Sequence, residues 1–65
     1  MPLMPLNEKV RITIRGGKKF EDVVTDELCI IGEVYYSFKK RSMLSADAIK
    51  RVEVLKNGKY VKIIG

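Results

Sequence analysis

The sequence predicts an all-β fold: a small, strongly bent antiparallel barrel of five to six strands with a one-turn helix near residues 45–49. Three observations predict it. Apolar and polar residues alternate at period two in "VRITIR" and again through "VEVLKNGKYVKII", as they do in strands with one buried face. Asn57 and Gly58 divide the second run where a two-residue hairpin turn would sit. The remaining segments between turn residues are short, which suits several short strands in a curved sheet.

Residues 1–7 read as a flexible N-terminal arm, and residues 8–65 as a single domain. The first strand is expected at 9–15, where Val10, Ile12 and Ile14 alternate with Arg11, Thr13 and Arg15. The second is expected at 19–25. A two-residue loop of Gly16 and Gly17 would put Lys19 and Glu21 on the buried face, whereas an odd-length loop puts Phe20 and Val24 there. Burial therefore selects a three-residue loop, with positive φ at one glycine. Asp22 becomes the odd member of the inward face, expected near a sheet edge or a strong bend.

The segment "TDELCIIGEVYYSFKKR" admits two readings. As a helix it has Thr25 as N-cap and a face of Leu28, Ile31, Val34, Tyr35 and Phe38; as a strand it aligns Leu28, Ile30, Val34, Tyr36 and Phe38. Its Ile, Val, Tyr and Phe favour a strand, and Gly32 is costly inside a helix but marks a bend or bulge in a strand. A bent strand over about 28–38 is expected. A short strand at 42–45 follows, then a turn of helix capped by Ser45, then strands at 50–55 and 60–64. The Asn57–Gly58 turn implies the pairs Lys56–Lys59, Leu55–Tyr60, Val54–Val61, Glu53–Lys62 and Val52–Ile63, with Glu53 and Lys62 as an opposite-charge pair.

Composition narrows the function. A 65-residue chain buries a thin core, so oligomerisation would add stability. There is one cysteine, Cys29, and no histidine, so neither an internal disulfide nor a zinc site is expected, and a cytoplasmic location follows. No apolar run approaches a membrane span or a signal peptide. Cys29 is expected as a small buried or half-buried hydrophobe, lacking a base to activate it. The net charge is +5 and unevenly spread. Glu21, Asp22, Asp26, Glu27 and Glu33 fall in a stretch without a base, whereas Lys39, Lys40, Arg41, Lys50, Arg51, Lys56, Lys59 and Lys62 face only Asp47 and Glu53. Such asymmetry suits a polyanion on one surface.

"VRITIRGGKKFEDVV" resembles the first motif of Sm-like proteins, with Gly17 at the turn glycine and Phe20 at the apolar position three residues on. Asp22 stands where that motif usually has a second glycine, and neither the Asp-x-x-x-Asn run nor the Ile-Arg-Gly motif is present. "MLSADAIKRVEV" is similar to the strand, one-turn helix and strand of the wider Src-homology-3-like barrels. The resemblance implies the barrel shape, which serves many purposes.

For chemistry, Gly16, Gly17 and Lys18 lead into a strand and not a helix, which excludes a Walker-type nucleotide loop. No catalytic constellation, metal site or cofactor is expected. The expectation is a non-catalytic binding module for nucleic acid, RNA or DNA, with Arg11, Arg15, Lys18, Lys19, Lys39, Lys40 and Arg41 as phosphate contacts and Tyr35 as a stacking residue. The alternative is a protein-interaction module that forms a homo-oligomer by edge-strand pairing.

Overall fold

A computed structural model describes residues 4–65. It is all-β: β1 Lys9–Ile14, β2 Lys19–Ile30, β3 Glu33–Phe38, β4 Leu44–Ser45, β5 Ile49–Lys56 and β6 Lys59–Ile64, with a 3-10 turn at Ala46–Ala48 before β5. All neighbouring strands are antiparallel, in the order β4-β3-β2-β1-β5-β6. No ladder joins β4 to β6 among the described residues, so the six strands form one open sheet. No helix among them is long and apolar enough to cross a membrane.

β2 is the strand that bends the sheet. Lys19 to Val23 pair with β1, and Val24 to Ile30 pair with β3, with a bulge between Val24 and Asp26. A bulge adds one residue to one strand, sharpens the local twist and re-aims the chain. Asp22 sits just before this changeover. It lies opposite Val10, as the alternation predicted, and is buried. Its carboxylate accepts the Val23 N–H at 2.7 Å and the Lys40 N–H at 3.2 and 3.3 Å, so a buried acid holds the turn after β3 to the bend of β2.

The inner face carries the core: Val10 and Ile12 from β1, Val24 from β2, Phe38 from β3, and Val52 and Val54 from β5. Each fully buried Val or Ile contributes roughly 1.5–3 kcal/mol over an exposed one. Phe20 packs against this cluster and meets Phe38 edge-on, with ring centroids 5.4 Å apart. The expected arm over residues 1–7 lies partly outside the described residues. Its described part is docked: Met4 is buried in the core, and the Asn7 N–H donates to the Val24 carbonyl at 2.7 Å.

The first hairpin has the three-residue loop that burial required. Ile12 lies opposite Phe20, and the Ile14 N–H donates to the Lys18 carbonyl at 2.9 Å, leaving residues 15–17 as the loop. Both glycines have positive φ, 98° at Gly16 and 94° at Gly17, where one was expected. The Gly17 N–H donates to the Ile14 carbonyl at 3.0 Å, so Gly16 takes the third position of a tight turn that demands positive φ.

Three expectations are corrected. The segment 28–38 is not one bent strand but the end of β2, a two-residue turn and β3. Ile31 at φ 49° and Gly32 at φ 76° make the turn, and a ladder from Ile30–Glu33 to Val24–Phe38 holds it. In that register Leu28 and Ile30 share a face with Tyr35, opposite to Val34, Tyr36 and Phe38; both apolar side chains are exposed, and so is Cys29, which was expected buried or half-buried. Finally, the last hairpin follows the predicted register from Lys56–Lys59 to Glu53–Lys62 and then shifts, so that Val52 faces Ile64 and not Ile63. Glu53 gives its carboxylate to Arg11 and not to Lys62.

Candidate nucleic-acid interface

The outer face of β2, β1, β5 and β6 is built in rows. Cross-strand pairing aligns Glu21, Arg11, Glu53 and Lys62 in one row, and Lys19, Thr13 and Arg51 in the next. The two rows behave differently.

In the first, Glu21, Arg11 and Glu53 are paired within the protein, while Lys62 forms no ion pair among the described residues. Arg11 donates from Nε and Nη2 to the two carboxylate oxygens of Glu53, each at 2.9 Å, and its guanidinium lies 4.4 Å from the centre of the Tyr60 ring. The hydrogen bond to Glu53 raises the Arg11 pKa, and the same bond lowers that of Glu53. Tyr60 donates its hydroxyl to Glu21 at 2.7 Å, which lowers the Glu21 pKa and raises that of the phenol. Arg11, expected as a phosphate contact, is therefore already committed to a carboxylate and a ring. Arg15 is likewise tied to the backbone: its Nε donates to the Asp47 carbonyl at 2.6 Å, joining the first hairpin to the 3-10 turn.

In the second row the cations form no ion pair, although Arg51 and Lys19 lie near enough to Glu53 to help lower its pKa. Among the described residues the ion pairs engage Lys9 with Glu21, Arg11 with Glu53 and Lys56 with Glu8, and none includes Lys19, Lys50 or Arg51. These three, with Thr13, Gly17 and Gly65, line a cleft of about 310 Å³. Thr13 is only 7% exposed, and its hydroxyl has no hydrogen-bond partner in the protein.

Lys39, Lys40 and Arg41 approach the same end of the molecule from the other side. The Lys39 N–H donates to the Val23 carbonyl at 2.9 Å, the Lys40 N–H reaches Asp22, and the Arg41 guanidinium lies 3.8 Å from the centre of the Phe20 ring. The basic run thus continues antiparallel to β2 toward the glycine turn, and Phe20 is two residues from exposed Lys18. Lys18 and Lys19 stand at the hairpin end with Lys50 and Arg51 across β1, whereas Arg41 lies over Phe20, a residue of the inner face.

Tyr35 is not part of that hairpin end. On β3 it faces Leu28 and Ser45, and its hydroxyl donates to Glu33 at 2.8 Å, which raises its pKa. Neighbouring Tyr36 faces the core, where burial first and Glu27 second raise its pKa.

Sequence reasoning missed Thr13, Lys50 and Arg51. Thr13 reads as an ordinary solvent-face residue between two arginines, and only its flanking by Lys19 and Arg51 on both ladders buries it. Lys50 should face inward with Val52 and Val54, but a register shift pairs Thr13 with Arg51 and Ile14 with Ile49, leaving Lys50 as the extra residue. That bulge turns Lys50 to solvent beside Arg51. Among the described residues, no group of three or more His, Cys, Asp or Glu side chains is placed to hold a metal. Compared with protein-family models, curated proteins and solved structures, the chain matches none.

Proposed function

We propose that this chain is a non-catalytic nucleic-acid-binding module, a bent sheet of the Src-homology-3-like or Sm-like kind that meets RNA or DNA through its phosphates. The observation that carries the reading is the separation of charge on the outer face. Acids neutralise Lys9, Arg11 and Lys56, whereas Lys19, Lys50 and Arg51 converge at the glycine-turn end without an ion pair among the described residues. Cations that form no ion pair within the fold carry a local field that attracts a polyanion. Of the contacts expected from sequence, Lys18, Lys19, Lys39, Lys40 and Arg41 remain in this reading. Arg11 and Arg15 become structural, and Tyr35 loses its stacking role to its acidic neighbour.

A gel shift with single-stranded RNA and with duplex DNA at about 50 mM salt tests the reading. With roughly four phosphates contacted, log affinity falls against log salt with a slope near −3 for a single strand. No shift with either ligand ends the proposal.

Assembly through a sheet edge is the second reading, favoured by β6. It is an outermost strand of six residues with Val61 exposed, although Lys59 and Lys62 discourage indiscriminate pairing. Sedimentation of a monomer at high concentration removes this reading.

A further inference from the structure

We infer that the free edge of β2 over residues 26–30 is a self-association site, where a second copy of this chain pairs the same residues antiparallel about a two-fold axis at Leu28. The inference stands apart from the nucleic-acid reading and uses a different strand from β6.

Beyond its bulge, β2 has a strand on one side only. Lys9–Val23 is the last pair of the β1 ladder; the Asn7 N–H still reaches the Val24 carbonyl, and at Asn7, with φ 61°, the chain turns off toward buried Met4. Residues 26–30 pair with β3 alone and are all exposed. The turn fixes where their backbone groups point. Ile31 and Gly32 both have positive φ, so Ile30 and Glu33 close a two-residue hairpin as a hydrogen-bonded pair, and alternation makes Leu28–Tyr35 and Asp26–Ser37 bonded pairs too. The Lys39 N–H on the Val23 carbonyl keeps the same phase. Glu27 and Cys29 therefore turn N–H and C=O to the free edge, where no strand meets them among the described residues.

Two copies can join these groups only as Glu27–Glu27, Cys29–Cys29 or Glu27–Cys29 pairs. The first sets like charges directly opposite each other. The second runs the positive-φ turn residue Ile31 against Glu27, which ends the ladder after one bonded pair. The third avoids both faults. Glu27 and Cys29 then bond to Cys29 and Glu27 of the second copy, Leu28 meets Leu28 at the closer non-bonded spacing, and Ile30 lies opposite Asp26 and diagonal to Leu28. No acid faces an acid, and exposed Leu28 and Ile30 gain cover. The segment also lacks the lysine or proline that guards an edge, whereas β6 carries Lys59 and Lys62. In this register Ile31, 98% exposed, stands beside Thr25 of the second copy, next to the segment of exposed Leu6 and Asn7. A strained, uncovered isoleucine thereby acquires a neighbour.

The test is sedimentation of the full chain under reducing conditions, from about 10 µM to about 1 mM, the range of a weak contact. The parent is expected to pass from monomer to dimer. Leu28→Lys, at an exposed position, should weaken the dimer at least roughly tenfold. Glu27→Pro should weaken it too and keep the parent's circular dichroism, because the N–H that it removes has no bond within the fold. Val61→Lys, on β6, should leave the dimer intact. A bismaleimide spacer of about 8 Å should join exposed Cys29, the chain's only cysteine, to its counterpart across the diagonal in the parent and not in Leu28→Lys. A parent that stays monomeric, a dimer that survives Leu28→Lys or Glu27→Pro, or one that the spacer does not join overturns the inference. If the dimer yields only to Val61→Lys, assembly runs through β6 and the β2 site falls.

Discussion

At Asn57 and Gly58 the chain turns with φ of 49° and 78°; at Ile31 and Gly32 it turns with φ of 49° and 76°. The two hairpins share a backbone shape but differ in how they obtain it. Asparagine tolerates the left-handed region, so the last turn agrees with its own sequence. A β-branched residue there is an outlier, costing on the order of 1–3 kcal/mol. Ile31 recovers nothing by packing, since its side chain is 98% exposed. The ladder from Ile30–Glu33 to Val24–Phe38 imposes the turn from both sides, and Gly32 supplies the second positive φ without strain. One ladder can thus enforce a turn that the local residues oppose.

Substitutions at the turns sharpen or break this comparison. The largest effect is expected from Gly58→Val and Gly32→Val, each losing about 2 kcal/mol in urea unfolding, because φ is positive at both while the space around each is open. Unequal losses would mean that the two turns are not held alike. Next come the exchanges. Asn57→Ile should cost about 1 kcal/mol, and Ile31→Asn should gain about the same, there being no buried area at Ile31 to lose. A neutral or destabilising Ile31→Asn would show that the isoleucine is used by something outside the fold.

The smallest expected effect concerns acid. Arg11 and Glu53 tie β1 to the last hairpin, and the Glu53 pKa in the folded chain lies below its ordinary 4.5. Its stabilising contribution is therefore complete above pH 4.5 and fades as the pH falls through the lowered value. Glu53→Gln should flatten the stability profile on the acid side of 4.5 and leave the slope above it unchanged. An unchanged acid limb would remove Glu53 as its source. The turn at Ile31 and Gly32 should respond to none of this.

The candidate site was legible only in its charges. The run Lys39–Arg41 and the pair Lys18–Lys19 are visible in the sequence, and their approach through Asp22 and Phe20 is not, because it depends on where β2 leaves β1 for β3. Arg11 looked free because its partner, Glu53, is 42 residues away in sequence. Thr13 looked exposed because nothing local reveals that Lys19 and Arg51 would flank it.

By itself the sequence determined the period-two strands, the odd-length glycine turn that keeps Ile14 and Phe20 on one side, the Asn57–Gly58 hairpin and the capped turn after Ser45. Each rests on steric preferences and burial within a few residues. Only the tertiary structure decided the turn at Ile31, the outward face of Leu28 and Ile30, the bulge at Lys50 and the pairing of Arg11 with Glu53. The reason is physical: a bulge shifts the side-chain period by one, and a ladder can overrule a local preference of a few kcal/mol, so these features depend on strands that meet only after the chain has folded.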